Sequence, residues 1–337
     1  MTIAPARSTK ELLAVKDLRV DFYIRKKSVH IVKDVSLTIN ANETLVVLGE
    51  SGSGKSVTSL AVMGLLGSSG AQVTAGEIHF EGVDLLTLPA NERRKYRGAK
   101  ISMIFQDALS ALNPVQKVGK QILEVIQEHS DLNRKDAHKR VIELMDRVRI
   151  PNPEVRFHDF PHQFSGGMRQ RIMIAMALAM NPSLLIADEP TTALDVTVQA
   201  QIMQLLVDLQ REHHMGLMLI THDLKVAAEV ADRIVVMYAG RVVESAPADA
   251  LYKAPAHPYT AGLLASTPTA HDKGSMLKSI PGTPPSPANA PRGCAFNPRC
   301  PRARDICRIE EPPLVSIPGG RTSACHFWEE VLLDEAK

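Results

Sequence analysis

The chain has 337 residues, enough to bury a large core and to carry a smaller attachment beside its main domain. Its 39 basic and 37 acidic residues leave a net charge of +2, without the basic excess of a nucleic-acid binder, so no nucleic-acid partner is expected. The longest helix-like apolar run, IMIAMALAM at 172–180, is far too short to cross a bilayer, and the opening MTIAPARSTK lacks the apolar stretch of a signal peptide, so a cytoplasmic chain is expected.

In chain order, residues 12–39 alternate apolar and polar side chains (LRVDF, then VHIVKDVSLTI), which predicts an antiparallel piece of half-buried strands. TLVVL at 44–48 reads as a buried strand, GESGSGKS at 49–56 as a loop and VTSLAVMGLL at 57–66 as a helix. Strand, glycine loop and helix together are the context that a phosphate-binding P-loop requires. A bare glycine turn would need neither flank. Gly49, Gly52 and Gly54 let the backbone curl round an anion with its N–H groups turned inward, at the positive end of the helix. Lys55 is then expected to reach the terminal phosphates and the Ser56 hydroxyl to face magnesium; Glu50, Ser51, Ser53 and Val57 complete the predicted ATP-binding stretch.

IHFEG at 78–82 and ISMIF at 101–105 read as further strands. From 107 to 180 the period becomes helical, with Val118, Ile122, Val125 and Ile126, then Val141, Leu144, Met145 and Val148, which predicts a helical insertion. The charged run NERRKYRGAK reads as solvated surface. Strand patterns return in LLIAD (184–188), LMLIT (217–221) and IVVMYAG (234–240), with a helix in VQAQIMQLLVDLQREH, so a mostly parallel sheet covered on both faces is expected. LLIADE ends in two carboxylates at the sheet edge where such folds bind ligands: Asp188 suits magnesium, and Glu189 suits a general base acting on water.

Between residues 267 and 292 there are six prolines and no apolar period, which predicts a linker. All four cysteines follow it: Cys294, Cys300, Cys307 and Cys325, with five, six and seventeen residues between them. In a reducing compartment this clustering points to a metal holding a small fold together rather than to disulfides. The spacing is not the close CxxC pairing of zinc ribbons, and iron–sulfur, zinc and no stable metal all remain open. His326 is a minor substitute ligand.

The segment FSGGMRQR at 164–171, at the start of a long helix, resembles the signature of the ATP-binding subunits of ABC transporters. The resemblance implies an α/β fold of the P-loop NTPase ABC ATPase type, with a RecA-like parallel sheet, an antiparallel β flank and a helical insertion. It implies that Ser165, Gly166 and Gly167 close on the γ-phosphate held by a partner subunit, so that two nucleotides are sandwiched head to tail. Met168 stands where the family usually has glutamine, which leaves the hydroxyl and backbone donors intact. By the same resemblance Gln106 is the Q-loop residue that senses magnesium and the attacking water, Thr192 to Asp195 form the D-loop with Asp195 communicating across the dimer, and His222 is the switch histidine. Phe22, with Tyr23 adjacent, is the aromatic expected to stack on adenine, with core packing the other possibility.

IFQDALSALNP (104–114), FPHQFSGG (160–167), HPYTAGLL (257–264) and the late cysteines are similar to the dipeptide and oligopeptide importer branch, which includes nickel and opine relatives. That implies an ATPase of the translocase class energising import of peptides or related solutes from the cytoplasmic face of the plasma membrane, where it sits peripherally. Its implied partners are a second ATP-binding subunit, a heterodimer being favoured, two transmembrane permease subunits, and an external solute-binding protein acting through them. Its implied cofactors are ATP with Mg2+ and a [4Fe-4S] cluster, with Zn2+ as the alternative. The alternative functions are a soluble ABC ATPase in DNA repair or translation, a module that binds ATP without hydrolysing it, an exporter, or an importer of nickel or opines. The expected organisation is an ATP-binding domain over 1–266 with its helical part at 107–180, a linker at 267–292 and a cysteine-bearing domain at 293–337.

Overall fold

A computed structural model describes residues 10–24, 27–68, 70–192, 194–267 and 279–335; the opening segment, Ala193 of the D-loop and most of the first half of the proline-rich linker lie outside the described residues. The chain divides into two compact units. One comprises residues 13–38, 44–79 and the chain from 220 onward, and the other is dominated by residues 80–219.

The first unit is organised around the strand Thr44–Leu48, whose five residues are all buried. A continuous apolar run suits a strand covered on both faces. It pairs in parallel with Arg233–Tyr238, Val46 opposite Ile234 and Leu48 opposite Val236. Ala239 and Gly240, at φ 48° and 87°, then turn the chain back into Arg241–Pro247, and two consecutive left-handed residues give the twist that a tight hairpin needs. Arg241–Pro247 runs antiparallel to Arg233–Tyr238 and, on its other edge, to Arg321–Ser323, which in turn pairs with Val315–Ile317. In a flanking sheet Glu11–Ile24 lies between Lys27–Asn40 and Ala71–Phe80; the first two occupy the alternating stretch 12–39, and the third starts well before the strand expected at 78–82 and ends inside it.

The C-terminal residues differ from expectation in one respect. Rather than a segment with little core of its own, they add two strands to this sheet and bury Phe296, Ile317 and Val331 at 2%, 6% and 0% exposure. Their apolar residues are too few for a periodic pattern, and while these three turn inward, Ile309 and Leu333 stay exposed.

In the second unit Ile101–Ile104 pairs in parallel with Leu184–Asp188, Ile101 opposite Leu184 and Ile104 opposite Ala187. The helices Val118–His129, Arg134–Arg147 and Gly166–Ala177 occupy the stretch whose period predicted them. Val118, Ile122 and Ile126 are fully buried, as are Val141, Leu144 and Met145, while Val125 is half-buried. Arg171 ties this bundle together: its Nη1 donates to the Val148 carbonyl at 2.9 Å, and its Nη2 to Gln201 at 3.3 Å, on the helix Val196–His213. Among the described residues no helix is long and apolar enough to cross a membrane.

Candidate functional site

In the first unit the P-loop leaves the buried strand Thr44–Leu48 and delivers Lys55 as the first residue of the helix Lys55–Met63. Two glycines are sterically required. A Cβ on Gly49 would collide with the Met237 carbonyl oxygen, and Gly54 adopts φ 100° as the helix cap, its carbonyl accepting from both the N–H and the hydroxyl of Thr58 at 2.9 Å. Lys55 is buried to 5% exposure, and its Nζ donates to the carbonyls of Gly49 (2.8 Å) and Glu50 (3.0 Å). The cation is thus folded against the loop that it serves. Ser56 is half-buried one residue into the helix, Ser51 and Gly52 are exposed at the loop tip, and Ser53 is buried at 4% with its N–H on the Glu50 carbonyl (3.2 Å). Val57 follows within the helix.

His222 leaves the sheet at the same edge. The N–H of its neighbour Thr221 donates to Val47 at 3.2 Å, two residues before Gly49, and His222 itself is exposed. Phe22 and Tyr23 lie near the end of Glu11–Ile24, Phe22 half-buried and Tyr23 52% exposed. Of the two, Tyr23 has the freer ring face.

In the second unit Asp188 closes its strand at 5% exposure, and Glu189 follows in the left-handed region at φ 44°. Such a conformation costs free energy in a non-glycine residue and re-aims its side chain. The Glu189 Oε2 accepts from Gln106 Nε2 and from Thr192 Oγ1, each at 2.9 Å. The structure therefore brings together the two residues assigned to water handling, Gln106 and Glu189, and adds a hydroxyl, Thr192, that the sequence placed only in the D-loop. Asp195 caps the helix Val196–His213 by accepting from Val198 N–H at 3.0 Å.

Ser165 caps the helix Gly166–Ala177, its hydroxyl accepting from Met168 N–H at 3.3 Å. Ser165 and Gly166 are exposed and Gly167 half-buried. The turn thus presents a hydroxyl and the positive end of a twelve-residue helix to its surroundings, an arrangement that accepts an anion.

The four cysteines line one cavity in the first unit, with His257 and His326 at its wall. Among the described residues no three or more His, Cys, Asp or Glu side chains stand at metal-holding distances, so the thiols share a space without closing on one point. Burial pushes the Cys294 thiol up to about 11 and the Cys325 thiol up to about 12, and it raises Cys300 as well. The neighbouring thiols add to the rise in each case. A metal held here would have to displace the thiol protons, so the residues present offer four sulfur donors without a formed metal site among the described residues. His257 is fully buried as the cap of Pro258–Ala265, accepting from Tyr259 N–H at 3.0 Å, and burial lowers its pKa to about 3.

Two residues that the sequence did not single out touch the P-loop. The Tyr259 hydroxyl accepts from Glu50 N–H at 2.9 Å, and Arg299 donates to the Glu50 carboxylate from both Nη atoms, at 2.6 and 3.0 Å. Tyr259 lies in the HPYT segment noted above only as a branch motif; Arg299 carried no signal.

A parallel sheet with this glycine loop and a carboxylate-ended strand is the framework of a P-loop nucleoside triphosphatase. The ABC transporter family matches residues 32–192, and the family described as "Oligopeptide/dipeptide transporter, C-terminal region" matches residues 243–307. The chain is 47% identical over 319 residues to the oligopeptide transport ATP-binding protein AppD of Bacillus subtilis, covering 95% of this chain and 97% of that one. It is 49% identical over 316 residues to the dipeptide transport ATP-binding protein DppD of Escherichia coli, covering 94% and 96%. Among solved structures, a dimeric post-hydrolysis state of the ATP-binding cassette MJ0796 bound to ADP and Pi matches with a TM-score of 0.62 and 28% identity, over 70% of this chain and 99% of that one. The chain belongs to the ATP-binding subunits of ABC transporters, in the oligopeptide and dipeptide branch, and has the ABC ATPase fold. It is an ATP hydrolase and a peripheral subunit that works with membrane permeases and a solute-binding protein.

Proposed function

We propose that this chain energises the uptake of peptides, with its ATP-binding domain over 1–266 as the motor, 267–292 as a linker and 293–337 as a cysteine-bearing domain. The observation that carries the reading is identity of 47% and 49% to peptide-transport ATP-binding proteins over more than nine-tenths of the chain. Nickel and opines are the alternative cargoes.

The roles follow from the chemistry of each side chain. Residues 49–57 wrap the triphosphate, Lys55 neutralises its outer phosphates, and Phe22 or Tyr23 covers the adenine. Ser56, Asp188 and Gln106 are the oxygen donors that would hold magnesium, whose charge would offset that of the phosphates. Glu189, held in aim by Gln106 and Thr192, takes the proton from the attacking water, and His222 contacts the γ-phosphate and helps to orient that water. Ser165, Gly166 and Gly167 cap the nucleotide of a second subunit, and Asp195 acts across that interface. Exposure of the turn supports this role, and a related but different second ATP-binding subunit is the proposed partner.

We further propose that Cys294, Cys300, Cys307 and Cys325 hold a [4Fe-4S] cluster, with zinc as the alternative. The cluster would supply a structural cross-link, since ATP hydrolysis needs no electron. Its support is the shared cavity and the four sulfur donors. Anaerobically purified protein should be brown and contain iron and acid-labile sulfide. A colourless sample with one bound zinc would refute the cluster.

The function is tested in vesicles carrying the full transporter with its binding protein. Peptide should accelerate phosphate release, and Glu189→Gln should lower turnover by at least about 100-fold while ATP still binds, because a positioned base contributes roughly that much. Turnover at the parent rate in that variant would remove Glu189 from the mechanism, and stimulation by nickel or an opine in place of peptide would reassign the cargo.

A further inference from the structure

Glu50 is a non-glycine position inside the GESGSGKS loop, and all its polar groups are engaged. Its N–H donates to the Tyr259 hydroxyl at 2.9 Å, and its carbonyl accepts from Lys55 Nζ at 3.0 Å and Ser53 N–H at 3.2 Å. Its carboxylate takes the two-pronged contact from Arg299, at 2.6 and 3.0 Å. Arg299 is itself fixed. It is 5% exposed, its Nε donates to the Pro281 carbonyl at 2.9 Å, its Nη1 reaches the Tyr238 hydroxyl at 3.3 Å, and its guanidinium stands 5.9 Å from the centre of the Phe296 ring. A planar fork locked on every side sets both the direction and the distance of the carboxylate that it grips.

The turn that presents Arg299 is short and rigid. The Cys294 carbonyl accepts from Asn297 through both its N–H (2.9 Å) and its side chain (2.8 Å), and Arg299 N–H donates to Phe296 at 3.0 Å. Cys300 follows directly. Nothing in the ATP chemistry assigned above uses this arginine, although its position 249 residues from Glu50 in sequence makes the contact a deliberate tertiary one.

We propose that Arg299 is a positioning residue for ATP: by clamping and neutralising Glu50 it holds the first half of the phosphate loop in the shape that accepts a triphosphate. Two physical consequences follow from removing it. The loop samples shapes that do not bind, which lowers the apparent affinity by the fraction of time lost. The Glu50 carboxylate, left without its cation beside an anion site, also repels the incoming phosphates. The inference rests on the reading of residues 49–56 as the phosphate loop.

The experiment measures binding of ATP with magnesium to the full chain, together with amide hydrogen exchange, for Arg299→Ala, Arg299→Lys and Lys55→Ala. Arg299→Ala should weaken ATP about tenfold, and Arg299→Lys, which keeps the charge and loses the fork, by a smaller factor. Exchange should quicken at residues 49–54 while the strand Arg233–Tyr238 keeps its parent protection. If Arg299→Ala fails to fold, Arg299→Lys is read alone on the same two measurements. Affinity within twofold of the parent in the Arg299 variants, with binding lost in Lys55→Ala, would overturn the proposal and leave the phosphate loop standing. Faster exchange throughout the surrounding sheet would also overturn it, by reducing Arg299 to a fold-stabilising residue. Retention of ATP by Lys55→Ala would instead defeat the phosphate-loop reading itself.

Discussion

A single oxygen, Oε2 of Glu189, receives two hydrogen bonds at 2.9 Å, from Gln106 and Thr192, while its backbone is held at φ 44°. Two donors converging on one carboxylate oxygen fix the direction of the side chain, which is what a general base needs before its basicity matters. Removing the hydroxyl without changing the side-chain shape separates positioning from binding. Thr192→Val should lower kcat about tenfold with KM unchanged, since the lost contact orients the base and does not touch ATP. Steady-state ATPase kinetics of the assembled transporter check this, and an unchanged kcat would show that Gln106 alone suffices. Lys55 and Glu189 were legible in the sequence because each belongs to a motif whose neighbours are local. Tyr259 and Arg299 were not, because they meet Glu50 across 209 and 249 residues and no local pattern encodes such a meeting.

Elements with an unbroken apolar run or a sustained period were legible, the four-residue strand Ile101–Ile104 among them, and the three-residue strands near the C-terminus were not. Residues 184–188 formed the strand their apolar run indicated. Val315–Ile317 and Arg321–Ser323 have three residues each, too few to show an alternation, and the second buries polar side chains, Arg321 at 8% and Ser323 at 0% exposure. The reason lies in the strand Arg241–Pro247. Its Glu244 is fully buried and accepts from the N–H groups of Ala256 (2.7 Å) and His257 (3.0 Å) and from Arg321 Nη2 (3.0 Å). Burial raises the carboxyl's pKa against the pull of these donors. A buried pair of this kind is weak evidence of net stability, but breaking one side of it is costly. Arg321→Met should therefore destabilise the protein by about 3–5 kcal/mol in urea unfolding, and Glu244→Gln combined with Arg321→Met should recover a substantial part of that loss. Strict additivity of the two single changes would show that the charges do not interact.

At the scale of the molecule, the region after the linker is an integral edge of the P-loop unit's sheet as well as a carrier of cysteines. Glu244 lies opposite Ser323 and Ser245 opposite Thr322, so Arg321–Ser323 covers the hydrogen-bonding edge of Arg241–Pro247, and Ala324 N–H donates to Val243 at 2.8 Å just beyond it. An uncovered strand edge pairs readily with another copy of itself. A chain ending at residue 312 would lose both covering strands and the Arg321 partner of Glu244. A chain ending at residue 327 would keep the strands, Arg321 and Cys325, and would lose the helix Trp328–Glu335, whose described contribution to the core is Val331. The first truncation should elute as aggregate in size-exclusion chromatography with light scattering. The second should remain monodisperse with a Tm lowered by several degrees, as expected for exposing one large apolar side chain in a domain of this size. Both truncations remove Val331, and only the first also bares the strand edge, removes Ile317 and leaves Glu244 without Arg321. Equal behaviour of the two would mean that the C-terminal strands do not guard the sheet.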